Sequence, residues 1–178
     1  MVDDLKAYDA AVKWSPLPVW EQAVISGEGF SVRPLFGLHR LLVSGKTAGA
    51  IKPAMPAEKP IGFMAETSDE NAVLQIARDR VLMISNRPLE LSPGWHKQGF
   101  AVSEASDAWL CLELTGENRM SVLSQGTSLD PASGSPSAMV QFAGVPCAIH
   151  QARGGRILLH VECGQAAYLW AWFSGCSS

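Results

Sequence analysis

A series of short apolar runs separated by turn residues, from residue 72 to residue 162, constrains the fold of this chain more than any other feature. The runs AVLQIA (72–77) and RVLMIS (80–85) flank Arg78-Asp79 and are rich in residues that suit a half-buried pleated surface. Two such runs separated by two turn residues are typical of a tight β-hairpin. We therefore predict that the compact part of the fold begins with this hairpin.

Further apolar runs predict more strands. FAVSEAS and AWLCLEL flank Ser106-Asp107, which predicts a second hairpin ending at Leu114. AMVQFAGVPCAIH and RILLHVE predict two or three additional strands, with a corner at Gly144 and a hairpin turn at Gly154-Gly155. Closely spaced runs of this kind predict an antiparallel sheet.

A short helix is predicted directly after Leu114. Thr115 or Gly116 would cap it, and Met120 and Leu123 would share one face. Gly126 would end this helix in the left-handed conformation that glycine adopts readily.

The run GQAAYLWAWF predicts a final helix that is apolar nearly all round. No charged residue follows Glu162. This helix is therefore either fully buried or presents Tyr168 and Trp172 to another subunit, and the pattern favours neither alternative.

These elements predict an α+β fold, in which an antiparallel sheet has helices packed mainly on one face, akin to a ferredoxin-like half. Residues 1–28 carry Pro16 and Pro18 and predict an extended arm that wraps around the rest. We predict an irregular N-terminal segment over 1–65 and an α+β domain over 66–178, with one continuous domain as the alternative.

The stretch from residue 29 to 57 is locally basic and contains no acidic residue. It is either a solvated loop face or a surface that docks onto an acidic partner. Prolines 53, 56 and 60 predict an irregular connection there and not a helix. Its basic residues and histidine are Arg33, His39, Arg40, Lys46 and Lys52.

Charge and cysteine spacing exclude several classes of function. With a net charge of −3 and a pI near 5.8, the chain has no global electrostatic signature for nucleic acid or an anionic membrane. The four cysteines are far apart, without a CxxC pair or histidines at zinc-ligand spacing, so we predict no metal site and reduced thiols. Without a signal peptide or an apolar run long enough to span a bilayer, we predict a cytoplasmic protein.

The sequence contains no motif that demands catalysis. GxSxG, HExxH, CxxC and a Walker A loop are absent. His150 and His160 lie in strand patterns without a nearby nucleophile or carboxylate motif, so we predict that they are structural. Trp95 is predicted to be a packing anchor. We assign no catalytic, cofactor-binding or metal-binding residue.

Two stretches resemble the glycine-cleavage T-protein superfamily. WLCLELTGENRMSVLSQGTSLD (109–130) has the strand, the Gly-led helix and the Leu-Asp step of its signature, and residues 142–173 are similar to its paired strands and closing helix. Within that superfamily, the hairpin VLQIARDRVLMIS and the spacing of the elements most resemble the sarcosine oxidase gamma subunit family. The resemblance covers roughly residues 70–175. The loop PASGSPSA departs from the Phe-Pro-Gly that the family usually has there.

The resemblance implies a non-catalytic assembly subunit of a heterotetrameric flavoenzyme. Such an enzyme oxidises sarcosine and passes its one-carbon unit to tetrahydrofolate, with FAD, FMN, NAD and tetrahydrofolate held by partner alpha, beta and delta subunits. The candidate interface residues in this chain are Arg33, His39, Arg40, Trp95, His96, Tyr168 and Trp172.

Two other interpretations remain open. The chain could be a free-standing folate-binding or aminomethyltransferase-like protein, although the Lys-Gly-Cys-Tyr/Phe motif of the iron–sulfur-linked folate-binding relatives is absent. It could also be an interaction module of another oxidase or demethylase, because a fold does not fix a substrate.

Overall fold

The structure, a computed structural model, describes residues 18–67 and 71–177, and within these ranges it has twelve β-strands and three α-helices. The strands are β1 (Ile25–Gly27), β2 (Phe30–Leu35), β3 (His39–Gly45), β4 (Pro60–Ile61), β5 (Ala72–Ala77), β6 (Arg80–Ser85), β7 (Gly94–His96), β8 (Phe100–Glu104), β9 (Trp109–Thr115), β10 (Met139–Phe142), β11 (Val145–Ala152) and β12 (Arg156–Glu162). The helices are α1 (Ala48–Ala54), α2 (Arg119–Gly126) and α3 (Cys163–Cys176).

The strands form two six-stranded sheets. Sheet A has the order β1-β2-β9-β12-β11-β10, and sheet B has the order β4-β5-β6-β3-β8-β7. Neighbouring strands are antiparallel except for β4 and β5, which are parallel. The predicted α+β class is therefore confirmed, and the predicted single sheet is resolved into two.

The apolar core lies in three layers. Helices α2 and α3 cover one face of sheet A, where Leu123 and Phe173 are fully buried. The other face of sheet A packs against sheet B, with Leu74 and Leu158 among the residues between them. Helix α1 covers the outer face of sheet B through Ile51. Because both faces of each sheet are covered, strands such as β9 are apolar at nearly every position.

The hairpin predicted around Arg78-Asp79 is confirmed, since β5 and β6 pair across that turn. The turn at Gly154-Gly155 is also confirmed, because β11 and β12 pair on either side of it. The final helix is confirmed as α3.

The hairpin predicted around Ser106-Asp107 is wrong. β8 belongs to sheet B and β9 belongs to sheet A, so the short 3-10 turn Ser106–Ala108 carries the chain from one sheet to the other. The turn is tied to sheet B because the backbone N–H of Arg40 donates to Ser106 Oγ at 3.0 Å. Turn-forming residues permit a change of direction, but they do not determine whether the next strand returns to the same sheet.

The irregular segment predicted before residue 65 is also wrong for its described part, because residues 25–45 form β1, β2 and β3. Residues 1–17 of the extended arm predicted for 1–28 lie outside the described residues. In the described remainder, residues 20–22 form a 3-10 turn. Strand pairing crosses residue 65 in both sheets: β2 pairs with β9, and β3 pairs with β6 and β8.

Two local predictions need a correction. Pro53 lies inside α1, in its last turn, where the missing N–H removes one helical hydrogen bond and burial of Ala50 and Ile51 still holds the helix in place. Gly126 does not have a positive φ. A Cβ there would lie 2.3 Å from the Phe142 ring, so Gly126 is required for close packing of α2 on sheet A and not for a left-handed stop.

Candidate functional site

A cluster of polar side chains lies in the otherwise apolar layer between the two sheets. Strand alternation places His150 of β11 and His160 of β12 on the face of sheet A that meets sheet B, and Arg40 of β3 lies opposite them. His150 and His160 are fully buried, and Arg40 is 4% exposed. Burial of three polar groups in one layer is costly, so their hydrogen bonds and charges determine what the layer can do.

The two histidines form a stacked pair. Their Nε2 atoms are 3.2 Å apart and their ring planes are inclined by 13°. Since two unprotonated nitrogens cannot hydrogen-bond to each other, one Nε2 carries the hydrogen and donates to the other. Thr67 Oγ1 lies 3.4 Å from His150 Nδ1, and Cys111 Sγ lies 4.0 Å from His160 Nε2.

Burial keeps both rings neutral. It lowers the pKa of His150 to about 4, with a smaller contribution from the charge of Arg156. Burial, and then the neighbouring His150 and Arg40, hold the pKa of His160 well below its ordinary value. The histidines predicted to be structural are thus neutral and enclosed within the core.

Arg40 is a buried cation, and no carboxylate among the described residues forms an ion pair with it. Its Nη1 donates to the carbonyl oxygens of Leu38 at 3.2 Å and Ser106 at 3.3 Å, while its Nε has no hydrogen-bond partner in the described part of the chain. Burial lowers the pKa of Arg40, and the thiols of Cys111 and Cys163 act in the opposite direction. A guanidinium remains protonated in proteins, so this charge is desolvated without an anionic partner in the part of the chain that the structure describes.

A cavity of about 290 Å³ opens beside Arg40. It lies between the loop after β2, the Ser106–Ala108 turn and the first residue of α3, Cys163. Much of its wall is apolar and comes from Leu35, Phe36, Leu38, Trp109 and Leu110. The Cys163 thiol is exposed, and its Sγ donates to the backbone oxygen of Asp107 at 3.3 Å.

A second buried charge, Glu113 of β9, is fully paired. Arg33 donates to its Oε2 at 2.5 Å and Arg156 donates to its Oε1 at 2.6 Å. Burial by itself would raise the pKa of Glu113, but the hydrogen bonds and charges of Arg156 and Arg33 outweigh it and hold the pKa below its usual value. Arg33 is therefore used within the fold, although its side chain is 59% exposed.

The residues predicted to face a partner lie on different elements. His39 is exposed on β3, and Trp95 is 73% exposed on β7 at an edge of sheet B. The prediction that Arg40 faces a partner is wrong, because its side chain lies in the layer between the sheets and is only 4% exposed. Trp95 is likewise not the packing anchor that we predicted, since most of its side chain is in water.

The other predicted interface residues are partly engaged in the fold. His96 stacks on Phe100 with ring centroids 4.4 Å apart. Trp172 packs edge-on against Phe142 of sheet A. Tyr168 is 54% exposed and donates its hydroxyl to the Ala143 carbonyl at 2.8 Å. Helix α3 therefore has both a buried face and an exposed tyrosine. It is neither fully buried nor a helix that exposes both Tyr168 and Trp172, which were the two alternatives drawn from the sequence.

The cavity beside Arg40 does not follow from the sequence analysis, because arginine is usually a surface residue and the basic stretch 29–57 suggests an exposed segment. The usable signal is the run of apolar residues that directly follows Arg40, which marks a strand covered on both faces. In the described ranges, no group of three or more His, Cys, Asp or Glu is arranged to hold a metal ion, and no helix is long and apolar enough to cross a membrane.

Comparison with known proteins shows a likeness in fold to a solved structure. No protein-family model and no curated protein matches this chain. Among solved structures, it is similar to a chain of the heterotetrameric sarcosine oxidase from Corynebacterium sp. U-96, in complex with pyrrole 2-carboxylate. The TM-score is 0.66 at 18% sequence identity, and the match covers 88% of each chain. The two chains share a fold over nearly their whole length, which confirms at the level of fold the resemblance drawn from the sequence.

Proposed function

We propose that this chain is the gamma subunit of a heterotetrameric sarcosine oxidase-type flavoenzyme and has no active site of its own. The complex would oxidatively demethylate sarcosine and pass the one-carbon unit to tetrahydrofolate. The observation that carries this proposal is the likeness to one chain of a four-subunit enzyme over 88% of both chains. Because the likeness covers the same share of both chains, this fold corresponds to most of one chain of that enzyme and not to a fragment of it.

The placement of the histidines supports a structural role. A general base must reach the substrate and have a pKa near the working pH. His150 and His160 are enclosed between two sheets, and burial lowers the pKa of both. They therefore form a neutral pair in the core and are not placed to exchange protons with a substrate.

Partner subunits would supply the chemistry. We propose alpha, beta and delta subunits that hold FAD, FMN, NAD and tetrahydrofolate, in a cytoplasmic assembly. Trp95 is the best-placed contact in this chain, because a 73% exposed tryptophan at a sheet edge is the type of residue that anchors protein interfaces.

The test is co-purification from the native host with a tagged version of the full-length chain. Mass spectrometry would identify the recovered proteins, and an absorbance spectrum would detect bound flavin. We expect large flavin-containing subunits and sarcosine turnover by the recovered complex. A lone monomer that binds reduced folate with submicromolar affinity would contradict the proposal and favour a free-standing folate-binding protein. Recovery with a flavoenzyme that is inactive on sarcosine would instead favour an interaction module of another oxidase or demethylase.

A matched pair of variants tests the proposed contact. If Trp95 anchors a partner, Trp95→Ala weakens assembly by roughly 30-fold or more, the range expected for an interface hot spot. Leu129→Ala is the control, because Leu129 is a 40% exposed apolar residue on a different part of the chain. The two variants should have the same melting temperature within about 2 °C, since neither side chain is buried. Equal recovery of partners with both variants would exclude Trp95 from the interface.

A further inference from the structure

Arg40 is a buried cation that forms no ion pair with another described residue, and it lies beside a cavity, which suggests a ligand. Arg40 is 4% exposed, lines the cavity, and has a buried Nε without a hydrogen-bond partner among the described residues. A buried charge without a counter-ion is expensive to maintain. An anion in the cavity would offset that cost.

The cavity has a second source of positive potential. Helix α3 spans fourteen residues and begins at Cys163, which lines the cavity. Its N-cap residue, Glu162, makes no side-chain capping hydrogen bond, so the first N–H groups of the helix are not satisfied from that position. The positive end of the helix dipole therefore acts at the same cavity as the Arg40 guanidinium.

The remaining wall indicates the kind of anion. Leu35, Trp109 and Leu110 are apolar parts of this wall, and Trp109 is only 8% exposed. The one acidic residue that lines the cavity is Asp107, which is exposed. A planar carboxylate matches the donor geometry of the Arg40 guanidinium, and it adds only one negative charge to a cavity that Asp107 also lines. A phosphate dianion would leave unbalanced charge against an apolar wall.

We propose that the cavity beside Arg40 binds a small organic monocarboxylate, with the carboxylate between Arg40 and the first turn of α3 and the apolar part of the ligand against Trp109 and Leu35. This site goes beyond the proposed assembly role and does not depend on it. It requires no reaction in this chain.

Binding is tested by isothermal titration calorimetry on the full-length chain, with benzoate as the probe. We expect saturable binding with Kd at or below about 1 mM, because one charged hydrogen-bonded contact and an apolar wall supply that much free energy. Acetate, which lacks the apolar part, and inorganic phosphate should each bind roughly 10-fold more weakly or worse. Absence of benzoate binding, or equal affinity for phosphate, overturns the proposal.

The decisive variant is Arg40→Met, which keeps the apolar stem and removes the charge. We expect it to weaken benzoate binding by about 10- to 100-fold, the usual effect of removing a charged hydrogen-bond donor. Arg80→Met is the matched control, because Arg80 is exposed on β6, does not line this cavity, and donates its Nε–H to Ser44 Oγ at 3.2 Å. Unchanged benzoate affinity in Arg40→Met, or an equal loss in Arg80→Met, contradicts the site.

A second variant avoids any change to the core. Cys163 is exposed, so Cys163→Glu should leave folding intact and place a carboxylate beside Arg40 that competes with the ligand. We expect a loss of at least about 10-fold in benzoate affinity, whereas Cys163→Ser should bind as the wild type does. Equal binding by both variants would place the probe elsewhere.

Thiol alkylation gives a readout independent of calorimetry. Peptide mass spectrometry gives, for each cysteine, the ratio of modification by iodoacetate to modification by neutral iodoacetamide. If the cavity attracts anions, this ratio should be several-fold higher at Cys163 than at Cys176. Benzoate should protect Cys163, and Arg40→Met should abolish the preference for iodoacetate. The same reagent ratio at both cysteines would show that the cavity has no attraction for anions.

Discussion

The two faces of sheet A are built from the same strands but differ sharply in chemistry. The face under α2 and α3 is predominantly apolar and includes Leu112, Ile149 and Leu159. The face toward sheet B carries His150 and His160 among small residues such as Ala148 and Ala152. Adjacent residues of β11 and β12 therefore alternate between a predominantly apolar environment and one that contains the buried polar cluster.

This difference defines the register of the sheet. A slip of one residue in β11 or β12 would turn every side chain to the opposite face and place the histidines under the aromatic residues of α3. We infer that the apolar face supplies most of the stability, while the polar face selects one pairing of the strands. Four measurements test that division.

The largest effect is expected at Phe173 of α3. Its side chain is fully buried against sheet A and contacts Phe142 and Trp172. Phe173→Ala should lower the free energy of unfolding by about 3–5 kcal/mol, since it removes buried apolar area and leaves a cavity. Chemical denaturation with Leu129→Ala as the exposed control measures this. A loss below about 1 kcal/mol would mean that α3 contributes little to the core.

The second-largest effect on the free energy of unfolding is expected when acid protonates the buried histidines of the polar face. The pKa of His150 is lowered to about 4 in the folded protein, so between pH 6.5 and that value the unfolded chain binds a proton that the folded chain does not. Stability is then fully present above pH 6.5 and falls as the pH decreases, by about 1.4 kcal/mol per pH unit for His150, and the lowered pKa of His160 acts in the same direction.

The contribution of the histidines can be measured separately between pH 6.5 and 4.5. The pKa of Glu113 is lowered from 4.5, so the stability that this carboxylate contributes is lost only below that range. Replacement of both His150 and His160 by Gln should flatten the dependence of unfolding free energy on pH over this range. An unchanged slope in the double variant would show that the pair is not the source.

A smaller effect tests how closely the apolar face is packed. Gly126→Ala would place a Cβ 2.3 Å from the Phe142 ring and should cost about 1–3 kcal/mol of unfolding free energy through overpacking. Gly164 of α3 is the matched control, because a Cβ added there would have no neighbouring atom within 4 Å. Gly164→Ala should be neutral or stabilise the protein by up to about 1 kcal/mol. Equal thermal shifts in the two variants would contradict close packing at Gly126.

The smallest effect is expected at Thr67, whose hydroxyl lies 3.4 Å from His150 Nδ1 and donates to the Gln151 carbonyl at 3.3 Å. Thr67→Val keeps the shape and removes the hydroxyl, which should cost about 0.5–1.5 kcal/mol. Thr67→Ser keeps the hydroxyl and should retain more of the stability. If Thr67→Ser loses more than Thr67→Val, packing and not hydrogen bonding determines this position.

The elements that the sequence predicts well are those fixed by neighbouring residues. The hairpin around Arg78-Asp79 and the helix α3 follow from local pattern, and both are present. The crossing at Ser106-Asp107 does not follow from local pattern, because the partners of β8 and β9 are distant in sequence.

The candidate site is less accessible to prediction for the same reason. The strand positions of His150 and His160 lead to the prediction that they are structural, but their contact across two strands depends on register. The burial of Arg40 depends on a second sheet that the sequence pattern does not reveal. The number of charges in the stretch 29–57 cannot distinguish a surface cation from one enclosed between sheets.

The crossing at Ser106-Asp107 affects how the chain reaches its native state. β2 and β9 are neighbours in sheet A, but the chain between them contains the strands of sheet B. That pairing closes a long loop, whose entropic cost is met only once the enclosed strands have themselves paired. We expect sheet B to form early and β2–β9 pairing to be a late, rate-limiting step of folding.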